Sequence, residues 1–137
     1  MLREIQFQRS KQMMFEMDED YNVIKSFECR DAFIDGWNSA GMPRNSLPND
    51  VYEHVYAEYP EDAEMNNGPA YGCFYIHTGD YRGRDIHGGG SGLPDPYAPR
   101  QGWVPTYGCL RMQNIDGVEL SWDIINSGND VVLTVVD

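Results

Sequence analysis

Three features of the sequence predict a mainly β fold. Alternating apolar and polar runs separated by short turns fill the N-terminal third, a Val-rich segment closes the chain, and a single stretch carries helical spacing. The chain has 137 residues, the size of one domain with one modest core. Residues 1–137 are therefore read as a single domain, which excludes two independent catalytic units.

Taken in order, the pattern predicts strands over residues 4–8 and 12–17, an acidic turn at Asp18-Glu19-Asp20, and a third strand over 21–28, arranged as antiparallel hairpins. Residues 51–59 alternate and are rich in aromatic and β-branched side chains. Strand is the expectation there, with a helix placing Val51 and Val55 on one face as the alternative. Residues 61–69 read as a polar loop, and 70–78 as a buried strand carrying Tyr71, Phe74, Tyr75 and Ile76. From Gly79 to Tyr107 the character changes. Six further glycines and four prolines lie between Gly83 and Pro105, a density that regular elements do not tolerate. Loops longer than about 12–15 residues are usually functional or disordered, and Leu93, Tyr97 and Trp103 inside this one argue for a packed lid. Beyond Cys109, Asn114 is placed to cap a helix whose Ile115, Val118, Trp122 and Ile125 recur at helical spacing, and Gly128 stands where a helix stop belongs. Residues 131–136 form the closing strand.

Charge narrows the function. The net charge is −12, which opposes tight contact with a phosphate backbone, so no nucleic-acid partner is expected. The basic residues are unevenly spread: between positions 82 and 111, Arg82, Arg84, Arg100 and Arg111 face only Asp85 and Asp95. A cationic block in an acidic chain is either a chance cluster or a site for a small anionic ligand. No apolar run approaches the roughly 18–20 residues of a membrane span. Residues 1–8 lack the apolar stretch of a secretory signal, so delivery by another route is the expectation. The cysteines, Cys29, Cys73 and Cys109, form no CxxC pairing, and their odd number leaves at least one thiol free in a monomer.

The chemistry concentrates in Ile86-His87-Gly88-Gly89-Gly90 and, after the 18 residues counted from Gly88 to Pro105, in Thr106-Tyr107-Gly108-Cys109-Leu110-Arg111-Met112. A nucleophilic cysteine needs a nearby base, because an unperturbed thiol with pKa near 8.5 is mostly protonated at neutral pH. Small or turn-forming residues before it let backbone N–H groups converge on a developing oxyanion. By spacing alone, an inert buried thiol and a loop histidine remain the alternative.

This stretch resembles the catalytic motif of the L,D-transpeptidases (YkuD-like domains), in which His-Gly is followed after 16–19 residues by Ser/Thr-His-Gly-Cys and commonly by Ile/Val-Arg-Met/Leu. Thr106, Gly108, Cys109, Arg111 and Met112 match. Asp116, Gly128 and the Val-rich closing strand are similar to that family's C-terminus. Two departures stand out: Tyr107 replaces the histidine before Gly-Cys, and Asp50 replaces a glycine in the upstream segment Leu47-Pro48-Asn49-Asp50-Val51-Tyr52.

The resemblance implies a β-sandwich-like fold with one helix after Cys109. It implies Cys109 as nucleophile, His87 as general base oriented by the carbonyl of Gly88, and backbone N–H groups of Tyr107, Gly108 and Cys109 as oxyanion donors. Arg111, Arg84, Thr106, Trp103 and Tyr97 are the candidate substrate-binding residues. Arg82 shares the carboxylate-binding expectation with Arg84, and Tyr97 and Trp103 are either lid core or groove wall. No cofactor and no metal are implied, and a zinc site built from Cys73, His87 and Cys109 lacks paired ligand spacing. His77 is read as a core histidine or a supporting partner, His54 as a surface residue and Cys29 as structural.

The implied reaction is attack on the L,D bond of a peptidoglycan stem tetrapeptide through a Cys109 thioester, resolved by an amine or a D-amino acid. Resolution by water would make the protein an L,D-carboxypeptidase or amidase. An inactive wall- or partner-binding module is the alternative of another class. Action on the bacterial wall, in the periplasm or at the cell surface, with a secretion-system or phage partner for delivery, is the corresponding expectation.

Overall fold

The computed structural model describes residues 2–137. Its elements are β1 (Leu2–Gln8), β2 (Met13–Asp18), β3 (Val23–Arg30), β4 (Asp50–Tyr52), β5 (Tyr56–Ala57), α1 (Pro60–Asn67), β6 (Tyr75–His77), β7 (Ile86–His87), β8 (Leu110–Met112), α2 (Asn114–Asn126) and β9 (Val132–Val136). Among the described residues the strands join in the order β4-β9-β1-β2-β3-β8-β7-β6-β5. The fold is mainly β, with its longer helix directly after the strand that follows Cys109.

Alternation explains the first half. Ile5 and Phe7 of β1, Met14 of β2, and Leu133 and Val135 of β9 all point inward, while their neighbours in sequence face out. β1 and β2 pair antiparallel and β9 adds parallel to β1. β3 belongs to both halves: it pairs with β2 along most of its length and with β8 only through Cys29 and Arg30. The sheet curls at this strand. Ile76, Ile86, Leu110 and Met112 of the second half therefore pack in the same core as Ile5, Phe7 and Leu133, with Leu120 and Ile124 of α2. Burying each of these large side chains contributes roughly 1.5–3 kcal/mol. The two halves face each other across that core, which gives the sandwich-like shape.

Four expectations change. Residues 51–59 are not one strand: β4 pairs with β9 and β5 with β6, so the alternating run serves two distant edges, with Val55 buried between them. Residues 61–69 are not all loop, since α1 occupies Pro60–Asn67. Proline at its first turn, Glu61 and Asp62 near its N-terminus and Gly68 (φ 84°) after it are helix signals. Only Pro60 and Ala63 are buried, so no apolar period announces it. The strand expected over 70–78 shrinks to Tyr75–His77, because Gly72 (φ 71°) turns the chain. Finally, β7 lies inside the segment 79–107, which is a loop on either side of that strand.

The helix after Cys109 forms with its buried face shifted: of the four apolar positions expected, Val118 and Ile125 pack against the core and Ile115 and Trp122 do not. Gly117, Leu120, Ser121 and Ile124 are buried, whereas Ile115 and Trp122 are 49% and 41% exposed. Gly117 fixes this phase, because the ring of Phe74 lies where a Cβ at 117 would stand. Gln113, rather than Asn114, is the cap residue. The first helical N–H groups are satisfied by the preceding loop, Asn114 N–H donating to Gln101 Oε1 (3.0 Å) and Ile115 N–H to Pro99 O (3.0 Å). The Asn114 side chain accepts from Cys73 N–H (3.0 Å) and donates to Pro96 O and Ala98 O (both 2.8 Å). It thus pins two loops to the helix.

Glu16 of β2 is 2% exposed, and its Oε2 has no hydrogen-bond partner. Burial, then a hydrogen bond and charge repulsion from Asp123, push its carboxyl up to about 8 despite the nearby Lys25. A raised acid favours the protonated fold, so this group's stabilising effect is complete below about 4.5 and fades as pH rises towards about 8. Glu16→Gln should be nearly neutral at pH 4.5. At pH 9 it should raise the unfolding free energy by on the order of 2–4 kcal/mol, read by denaturant melts at both pH values.

Candidate active site

The parallel pairing of β7 with β8 sets Ile86 opposite Leu110 and His87 opposite Arg111. One step earlier, Asp85 and Cys109 stand level, and Leu110 N–H donates to Asp85 O (2.9 Å). Ile86 and Leu110 face the core, so Asp85, His87, Cys109 and Arg111 share the other face. Two antiparallel pairings extend that face, with Tyr75 opposite His87 and Tyr56 opposite His77. Period-2 alternation on four short strands thereby gathers the polar residues of distant segments.

This face opens into a cavity of about 430 Å³ whose wall includes Tyr71, Tyr75, Arg82, Arg84, His87, Thr106, Tyr107, Cys109 and Arg111. Among the described residues no Asp or Glu lines it, which leaves a cationic pocket in a chain of net charge −12. Tyr97 and Trp103 are not among its lining residues. Trp103 instead packs under the Arg30 guanidinium (4.9 Å), and the carbonyl of Tyr97 accepts from the Cys73 thiol (3.3 Å).

His87 is 3% exposed, with its Nδ1 2.9 Å from Gly88 O. A carbonyl only accepts, so Nδ1 carries the proton and Nε2 is left basic. Tyr71 meets the ring edge-on (4.9 Å) and Tyr75 lies nearly parallel to it (6.0 Å, 16°). Burial, reinforced by the positive charge of Arg111, pulls the imidazole down to about 4. Burial pushes the Cys109 thiol up to about 11, a backbone hydrogen bond from Asp85 opposing the shift. That donor is Asp85 N–H, 3.3 Å from Sγ. At neutral pH the resting pair is therefore neutral thiol and neutral imidazole.

The turn before Cys109 is closed by Thr106, whose hydroxyl donates to Cys109 O (2.7 Å) and accepts from Gly108 N–H (3.0 Å). The Gly108 N–H is thus engaged within the turn, so of the three expected oxyanion donors only those of Tyr107 and Cys109 remain for that role. Gly108 has φ 133°, and a Cβ there would press on Asn45 O and the Arg84 side chain. Tyr107 is 67% exposed under the Arg44 guanidinium (4.2 Å).

Arg84 lines the cavity with its guanidinium already bound, Nε and Nη2 to Asp80 (2.8 and 3.0 Å) and Nη1 to Asn45 Oδ1 (2.6 Å). These contacts fix the loop and leave little for a substrate carboxylate. Arg111 differs. It is 4% exposed, donates from Nη1 to Gly89 O, leaves Nε without a partner and has no carboxylate within 4 Å among the described residues. A buried cation without a counter-ion favours an anion beside it.

Sequence reasoning passed over Asp85 and left His77 undecided. Asp85 accepts from Tyr75 OH (2.7 Å) and from Thr78 N–H (2.9 Å), and His77 Nε2 is 2.7 Å from Glu58 Oε2. The signal available was the position of Asp85 two residues before His87, which puts both on one face of a strand. Among the described residues no group of three or more His, Cys, Asp or Glu side chains is placed to hold a metal ion, and no helix is long and apolar enough to cross a membrane.

No family model and no curated protein matches this sequence. Among solved structures the fold is similar to that of the L,D-transpeptidase from Xylanimonas cellulosilytica, with a TM-score of 0.59 at 15% identity over 98% of this chain. The chain spans 61% of that neighbour's chain. The architecture is accordingly that of an L,D-transpeptidase domain.

Proposed function

We propose that this protein is a cysteine acyltransferase of the L,D-transpeptidase type, acting on the stem peptides of peptidoglycan. The observation that carries this reading is that His87 of β7 and Cys109, the residue directly before the parallel strand β8, line one cavity, with the histidine tautomer set by Gly88 O, inside a fold shared with an L,D-transpeptidase.

In the proposed reaction, His87 Nε2 takes the thiol proton as Sγ attacks the carbonyl carbon of the L,D bond before a terminal D-alanine. Backbone N–H groups of Tyr107 and Cys109 stabilise the tetrahedral oxyanion. Collapse breaks the C–N bond, His87 returns the proton to the leaving amine, and a thioester to Cys109 remains. An incoming amine or D-amino acid attacks this thioester, giving up its proton to His87 and releasing the thiol. Arg111 meets a substrate carboxylate beside the nucleophile, while Arg84 and Thr106 hold the loops around it. On this reading the enzyme works at the bacterial wall, in the periplasm or at the cell surface.

Intact-mass analysis of wild type and Cys109→Ser with a disaccharide tetrapeptide, with and without a free D-amino acid, tests this. A Cys109-dependent exchange product is expected. Tripeptide alone would make the protein an L,D-carboxypeptidase. No product from a folded wild type would overturn the enzymatic reading in favour of a wall-binding module.

A further inference from the structure

The two halves of the Cys109–His87 pair make no direct hydrogen bond, yet one continuous set of contacts joins them. On the histidine side, the Tyr75 ring lies nearly parallel to the imidazole at 6.0 Å. The Tyr75 hydroxyl donates to Asp85 Oδ2 (2.7 Å), and on the cysteine side Asp85 N–H donates to Sγ (3.3 Å). Both middle members are anchored from behind. Asp85 Oδ1 accepts from Thr78 N–H (2.9 Å) and from the Thr78 hydroxyl (3.3 Å). His77 packs 4.8 Å from the Tyr75 ring and stacks on Tyr56 at 4.2 Å. Its Nε2 is held by Glu58 and its Nδ1 lies 3.9 Å from Asp85 Oδ2.

We infer that Asp85 and Tyr75 are positioning residues that lock the thiol and the imidazole into one geometry, an inference that rests on reading Cys109 and His87 as the reacting pair. The clamp fits the chemistry asked of the site. Both reacting groups rest uncharged, so proton transfer depends on how closely Nε2 and Sγ are presented to each other when substrate binds, and small displacements there cost rate steeply. The clamp also has an electrical side. Asp85 offers Sγ a stabilising N–H and an opposing negative charge at once, and the Tyr75 hydroxyl draws off part of that charge. The other charged groups acting on Sγ are Arg111, two residues on in β8, and Asp80 from the loop that also carries Arg84, while the imidazole of His87 lines the same cavity.

Two substitutions separate positioning from general loosening. Asp85→Asn keeps a side chain able to bond Tyr75 and Thr78 but removes the charge, so thiolate forms more readily. Tyr75→Phe keeps the ring beside His87 but returns the full Asp85 charge to the thiol. Iodoacetamide labelling of Cys109 across pH 6–10, resolved by peptide mass, is expected to be about three- to tenfold faster than wild type at pH 8 for Asp85→Asn. For Tyr75→Phe it should be slower by a similar factor, each factor corresponding to a shift of about half to one pKa unit. Simple loosening would move both variants the same way, so parallel shifts or two wild-type profiles would overturn the inference. If Asp85→Asn does not fold, Tyr75→Phe decides alone: slower labelling supports the clamp, and unchanged or faster labelling overturns it. Labelling needs no stem peptide, so this result stands apart from whether the wild type turns over peptidoglycan fragments.

Discussion

Cys109→Ala is expected to lower turnover of a stem tetrapeptide by at least about 10³-fold, the scale on which removal of a covalent nucleophile is felt, while the melting temperature moves by less than about 4 °C. The two halves of this expectation have separate grounds. In the proposed reaction Sγ is the nucleophile, a role supported by its place in the cavity wall that also holds His87 and by the Asp85 N–H it receives. It contributes little to stability, because it is only partly buried and packs no core. Cys29 is the contrast: it is fully buried in the central cluster, and its truncation to alanine should cost stability by roughly 1 kcal/mol. Cys73→Ala should leave turnover unchanged. Turnover assays paired with thermal melts check all three, and an equally active Cys109→Ala would refute the proposed function.

The same site predicts the pH dependence. With the imidazole pulled down to about 4 and the thiol pushed up to about 11, the neutral pair is the main form across the whole range between. The free-enzyme profile, kcat/KM against pH, should be flat from about pH 6 to 9, because it reports the free enzyme's groups. A rise centred near pH 8.5 would instead mean that a preformed thiolate of ordinary acidity does the work.

What could be read from the sequence was whatever a local pattern encodes. Alternation located β1, β2, β3 and β9 to within a few residues, and the His-Gly and Thr-x-Gly-Cys stretches, through the resemblance they carry, drew attention to His87 and Cys109, which line one cavity. What could not be read depends on register between segments far apart in the chain. Asp85 matters because the parallel pairing of β7 and β8 sets it level with Cys109. Tyr75 matters because β6 lies beside β7. No spacing in one dimension announces either. The split of residues 51–59 has the same origin, since alternation shows that a run is half-buried but not which two edges it completes. Arg84 shows the limit for charge: its sequence position beside His87 pointed to a ligand, and Asp80 takes up its guanidinium instead.

The helix phase leads to a large expected loss of stability. Nothing in the sequence pattern marks Gly117, yet an added Cβ there would occupy the space of the Phe74 ring. The same edge of the ring, at Cε1, lies 3.1 Å from where a Cβ of Gly88 would be. Phe74 is fully buried in the core cluster, so it has little room to move away. Gly117→Ala improves intrinsic helix propensity by about 1 kcal/mol, but overpacking at a buried contact costs roughly 1–3 kcal/mol or more. Here the overlap is with the ring itself, so the upper end applies and the sign is destabilising. The displaced ring would press on the Gly88 segment, whose carbonyl orients His87, so turnover should fall along with stability. Denaturant melts of Gly117→Ala should show a loss of about 2–4 kcal/mol. Adding Phe74→Leu, which removes the obstructing edge of the ring, should recover part of that loss through a favourable coupling energy. Strictly additive effects would mean that the strain at Gly117 arises elsewhere.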